Sequence, residues 1–212
     1  MELISFFIDF VVLNRQGAHE VGVKEALRWS VVWVLISFAF NGQLAYTQPW
    51  RLVTVTLVHA SVWHIALNML ALWALGRSLE PLLGRWRFLA LYLLSAVGGS
   101  VLTALLAPTT WVVGASGAVW GLLGAMFVIG RHIGANVTAI AVLLGLNLLI
   151  TFLPGSGIAW QAHIGGGLVG ALVGFIFART RAIRQQRTQV WLLVAVAVGL
   201  VALLAVPLLI YR

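Results

Sequence analysis

Of 212 residues, 62% are hydrophobic and only 8% charged, with a mean hydropathy of +1.04. So few charges could not cover a water-soluble globule of this size, and the composition implies an all-α membrane protein whose exterior is solvated by lipid. The net charge of +8 comes from thirteen Lys/Arg residues scattered through short loops, which excludes a nucleic-acid footprint, and the lack of cysteine excludes disulfides, thiolate metal sites and a cysteine nucleophile.

In chain order, Met1 to Val12 is apolar but holds Glu2 and Asp9 and has no basic region before it, so it reads as a truncated or partial helix rather than a cleaved signal peptide. The apolar windows predict helices near 26–42, 63–80, 87–107, 115–131, 136–153, 160–178 and 189–210. The stretch 43–62 is no clean span: it holds Gln43, Gln48, Pro49, Arg51 and several threonines, and is expected to be a loop or a re-entrant element. Basic residues fall at every second connection: Arg15, Lys24 and Arg28, then Arg77, Arg85 and Arg87, then Arg131, then Arg179, Arg181, Arg184 and Arg187. This alternation predicts a cytoplasmic N-terminus and a seventh helix that ends outside. Arg51, in the first outer loop, is the exception and needs a local partner or the headgroup region.

Polar residues inside apolar spans are costly and are candidates for function. Few exist: His64 and Asn68 on the second helix, Ser116 at the start of the fourth, His163 at the start of the sixth, all at the outer side under this topology. Ser116 lies in Gly114-Ala115-Ser116-Gly117, where small neighbours leave the hydroxyl open and a helix N-terminus offers N–H groups to a developing oxyanion. A serine nucleophile needs a base, and His163 is the candidate. Gly166 and Gly170 after it, like Gly117 and Gly121, are four residues apart, which lets the two helices approach closely. After Glu25 the only carboxylate is Glu80, at the cytoplasmic end of the second helix. No carboxylate can therefore orient His163, which leaves a Ser–His dyad, with the imidazole held by packing and by stacking on an aromatic such as Trp120, one turn after Ser116. His64 and Asn68, spaced i, i+4, share a helix face and suit an oxyanion hole; His59 is expected to hold the loop by hydrogen bonds. His132 reads as an interfacial residue beside Arg131.

These motifs together resemble the rhomboid intramembrane serine proteases over residues of about Trp50 to Ala178. The matching residues are Trp50-Arg51, His59, His64, Asn68, Gly114-Ala115-Ser116-Gly117, Ala162-His163-Ile164-Gly165-Gly166 and Gly170. The resemblance implies a six-helix bundle with an additional C-terminal seventh transmembrane helix. It makes Ser116 the nucleophile and His163 the base, with His64, Asn68 and the Ser116 N–H as oxyanion donors and Arg51 and Glu80 in structural roles. It further implies cleavage of transmembrane protein substrates near their outer ends in a bacterial inner or plasma membrane, with no metal or organic cofactor. Relatives often carry Tyr where this chain has Trp120, and their first loop is longer. Residues 1–42 are different: Phe6 to Arg15 with Ala18 to Val21 and Lys24 to Ser30 resemble the start of TerC-type (tellurium-resistance-associated) membrane proteins, as a fusion or truncated gene would produce. The expected division is thus an atypical segment 1–42, a protease core 43–180 and a basic loop with the last helix, 181–212. Competing readings are a non-catalytic rhomboid-like binder of membrane helices, an ion-handling protein, and a haem protein using two of His59, His64 and His163. The last leaves the Gly-Ala-Ser-Gly motif unexplained.

Overall fold

The computed structural model of the chain describes residues 23–153 and 157–210. The chain divides into two compact units, with the boundary between Ser37 and Phe38. The first is described through helix α1 (Val23–Phe38), whose run Val31 to Phe38 is apolar apart from Ser37.

The second unit begins with a short ribbon in which β1 (Phe40–Asn41) pairs antiparallel with β2 (Trp111–Val112). This corrects the sequence expectation that the first helix runs to residue 42. The helix stops at Phe38 because the next residues pair with a strand some seventy positions away. The Asn41 side chain then accepts from the Gln43 N–H (3.0 Å) and opens a 3₁₀ turn over Gly42–Leu44. Stretch 43–62 continues through helix α2 (Arg51–Thr54) and a second 3₁₀ turn, Val55–Leu57, before the chain bends by 101° into α3 (Val62–Leu83). Ser61 caps α3 by accepting from the His64 N–H at 3.1 Å. Gly84, at φ +81°, turns the chain directly into α4 (Arg85–Leu106). There follow α5 (Ser116–His132), α6 (Thr138–Thr151), α7 (Trp160–Arg179) and α8 (Gln186–Ile210).

Among the described residues, three helical stretches are long and apolar enough to cross a bilayer: α4, α7 and Ile183–Val206. The bent α2–α3 pair makes a fourth if counted as one span. The sequence predicted seven spans; α5 and α6, with 17 and 14 residues, are shorter than the roughly 20 residues of a full crossing. Large apolar side chains such as Leu70, Trp73, Leu149, Leu168 and Val201 remain exposed on the outside, where lipid solvates them.

The interior is built on missing side chains. A Cβ at Gly166 would run into the carbonyl oxygen of Gly117, and one at Gly170 into that of Gly121. On the neighbouring face a Cβ at Gly165 would meet the carbonyl of Gly98. Helices α5, α7 and α4 therefore touch backbone to backbone, which is how helices associate where lipid removes the hydrophobic drive between them. Around that seam lie two apolar clusters. One centres on Leu79, Leu91, Leu122 and Val173; the other, near the ribbon, gathers Phe40, Val55, Ala104, Ala162, Leu200 and Leu204.

Candidate active site

Ser116 is the first residue of α5, and the turn that delivers it depends on Gly114. Gly114 adopts φ +116°, a region side chains disfavour, and its N–H donates to the Val55 carbonyl at 3.0 Å. The next N–H, of Ala115, points to Nε2 of His59 at 3.5 Å. His163 stands in the first turn of α7. The glycine seam brings the two helix starts together, and Nε2 of His163 lies 2.9 Å from Oγ of Ser116. Ser116 is half-buried, whereas His163 is buried.

The indole of Trp120 stacks on the imidazole, with ring centres 5.2 Å apart and planes 21° apart. The other ring nitrogen, Nδ1, is 3.0 Å from Oγ1 of Thr151, the last residue of α6. Packing alone thus does not hold the ring: a hydrogen bond acts on it too, from a residue that the sequence reading passed over. Thr151 was inconspicuous because a threonine hydroxyl can hide inside an apolar helix by bonding to the carbonyl four residues back, as this one does to Asn147 at 2.8 Å.

His64 lies on the third side. Its ring abuts Gly114, where an added Cβ would sit 2.7 Å from Cε1 and Nε2. Its Nδ1 accepts from the Ala60 N–H at 3.4 Å, and His59 meets it edge-on with centres 5.0 Å apart. Asn68, buried one turn later, gives one amide hydrogen to the His64 carbonyl at 2.9 Å. A small cavity of about 10 Å³, room for about one water, touches Ser116, Gly114 and Gly117 and is also lined by the hydroxyl-bearing Thr56, Ser100 and Thr103. Among the described residues no cluster of three or more metal-ligating side chains occurs.

A serine at a helix start thus lies within hydrogen-bonding distance of a histidine on a glycine-packed neighbour. The family model "Rhomboid domain" matches residues 46–180. The chain belongs to the rhomboid family. Rhomboid protease GluP of Bacillus subtilis (strain 168) is 33% identical over 175 residues, covering 75% of this chain and 32% of that protein. RHOMBOID-like protein 4 of Arabidopsis thaliana is 38% identical over 136 residues, 61% of this chain and 34% of that protein. Rhomboid protein 1, mitochondrial, of Saccharomyces cerevisiae (strain ATCC 204508 / S288c) is 32% identical over 149 residues, 61% of this chain and 41% of that protein. The chain thus spans well under half the length of these curated relatives. With the apolar helices, membership makes it an integral membrane protein with an all-α rhomboid bundle.

Two residues of the rhomboid pattern lie away from the Ser116–His163 pair. Arg51, buried on α2, donates from Nη1 to the Ala39 carbonyl and from Nε to Oε1 of Gln48, both at 2.6 Å, and its guanidinium lies 5.8 Å from the Trp111 ring centre. It ties the first loop to the ribbon and so has the local partners its odd location demanded. Glu80 is at the far end of α3, where it faces Arg85 at 3.7 Å across an exposed surface. Such a pair contributes little. Phe6 to Val21 of the TerC-like stretch lie outside the described residues, Lys24 to Ser30 fall in α1, and the matched domain, 46–180, reaches neither; that resemblance finds no support.

Proposed function

We propose that this chain is a serine endopeptidase that cuts transmembrane helices within the bilayer, with Ser116 as nucleophile and His163 as general base. The observation that supports it most is the 2.9 Å contact between Ser116 Oγ and His163 Nε2 inside a rhomboid domain. In the acylation step Oγ attacks the scissile carbonyl carbon while its proton passes to Nε2. The carbonyl oxygen becomes an oxyanion, and its proposed donors are the first N–H groups of α5, the imidazole of His64 and the remaining amide hydrogen of Asn68. Collapse breaks the C–N bond, and the leaving amine takes the proton from His163. A water then attacks the acyl-enzyme as His163 removes its proton, which releases the carboxylate product and restores Ser116.

A transmembrane helix hides its peptide bonds in its own hydrogen-bonding ladder. The substrates of this reading are therefore membrane proteins whose helices unwind near the outer face, with small residues before the cut and helix-weakening residues after it. The charge pattern supports a cytoplasmic N-terminus, and the membrane of this reading is a bacterial inner or plasma membrane.

The test is cleavage of a fluorogenic transmembrane substrate by the purified full chain in liposomes, beside Ser116→Ala and His163→Ala. Wild type is expected to cut, and each variant to lose about a thousandfold or more. No cleavage by wild type, or equal cleavage by either variant, sinks the reading. Substrate capture without cleavage by wild type would favour a non-catalytic helix binder.

A further inference from the structure

Nothing in the sequence motifs or the family pattern quoted above assigns a role to Thr151. We propose that Thr151 is a positioning residue for His163: its hydroxyl accepts the Nδ1 proton and thereby holds the ring in the tautomer that leaves Nε2 bare toward Ser116. The proposal rests on the protease reading for its catalytic meaning, and on geometry for the tautomer.

The argument is one of proton allocation. Thr151 Oγ1 lies 2.8 Å from the Asn147 carbonyl oxygen and 3.0 Å from His163 Nδ1. A carbonyl oxygen can only accept, so the single hydroxyl proton is directed to Asn147. Toward His163 the hydroxyl then offers only a lone pair, and Nδ1 must carry the hydrogen between them. A neutral imidazole has one N–H. Nε2 is therefore left with its lone pair, 2.9 Å from Ser116 Oγ, as a general base requires. Thr151 is 4% exposed and His163 7%, so bulk water does not compete for this bond.

The two restraints on the ring are complementary. Stacking on Trp120 fixes the plane of the imidazole but leaves it free to rotate within that plane. The Thr151 bond fixes that rotation. When the ring takes a proton from Ser116 it becomes a cation, and Nδ1–H···Oγ1 turns into a stronger, charge-assisted bond without anything moving. A buried carboxylate would do the same in a soluble triad, but an ionised carboxylate in an apolar span is costly. A hydroxyl already satisfied by its own helix is not.

Two measurements decide it. The first is ¹⁵N NMR of histidine-labelled wild-type full chain in detergent, which reads the tautomer of neutral His163 with no variant at Thr151. A protonated Nδ1 and a bare Nε2 are expected, and the opposite assignment overturns the proposal. The second is kinetics of Thr151→Val and Thr151→Ser on the transmembrane substrate. The valine variant is expected to lose about tenfold or more in kcat with KM little changed, and the serine variant to recover to within about twofold of wild type. Full activity in Thr151→Val, or a serine variant as poor as the valine one, overturns it. If Thr151→Val does not fold, the wild-type spectrum and the Thr151→Ser kinetics still decide. If wild type itself cuts nothing, the protease reading falls while the spectrum still tests the contact. If wild type cuts and Ser116→Ala does not, only the role of Thr151 is at stake in the comparison.

Discussion

At Gly114 one missing methyl group serves two ends. Its φ of +116° is strained for any other residue, and its bare Cα leaves room for the His64 ring, which an added Cβ would approach to 2.7 Å. Gly114→Ala is therefore expected to cost about 1–3 kcal/mol in backbone strain alone. It should show a lowered melting temperature in detergent together with reduced cleavage. Trp120 presents a softer case. A stacked aromatic pair contributes about 0.5–1.5 kcal/mol beyond its buried area. Replacing it by Leu should thus slow kcat by about two- to tenfold, whereas Trp120→Tyr, which keeps a ring, should stay near wild type. Single-turnover kinetics would separate the two. At this scale the sequence was informative wherever a residue looked out of place: Ser116, His64, Asn68 and His163 are polar groups in apolar spans. Thr151 did not look out of place, because threonine inside a helix satisfies itself. Its significance comes only from α6 ending beside α7.

Between elements, the decisive contacts are those of Gly117, Gly121, Gly166 and Gly170 on α5 and α7. A side chain at Gly170 would meet the Gly121 backbone, which cannot rotate aside. Gly170→Val is expected to destabilise by at least the 1–3 kcal/mol typical of overpacking, and to abolish cleavage by parting Ser116 from His163. Gly145 on α6 and Gly199 on α8 provide the internal control. Nothing lies within 4 Å of a Cβ at either, so alanine there should be neutral or stabilising by about 0.4–1 kcal/mol. Thermal melts of the four proteins, wild type included, test the contrast. The four-residue glycine spacing was legible before any coordinates, since it is local and repeats. The end of α1 was not legible. Whether Phe40 and Asn41 continue a helix or form a strand depends on Trp111 and Val112, and no local pattern encodes that pairing.

For the whole molecule, orientation is the testable property, and the absence of cysteine makes it accessible. Thr110, exposed beside the ribbon at the Ser116 end, and Arg184, exposed before α8, lie on opposite sides under the proposed topology. Thr110→Cys should react with an impermeant maleimide in intact cells, and Arg184→Cys only after permeabilisation; the reverse would invert the assignment. The last helix is fastened to the first loop by Tyr46, whose hydroxyl donates to the Leu204 carbonyl at 2.8 Å. Tyr46→Phe should cost about 1 kcal/mol, again as a shift in the melting curve. Among the described residues the long helices could be read from hydropathy, but not that α5 and α6, at 17 and 14 residues, stop before a full crossing. The seam between α5 and α7 also governs how the bundle responds to load. A packed interface yields first through its rotamers, and a seam of glycine and alanine has almost none to give. If a transmembrane helix docks as the proposed function requires, side chains around the perimeter are expected to shift before the spacing of Ser116 and His163 does.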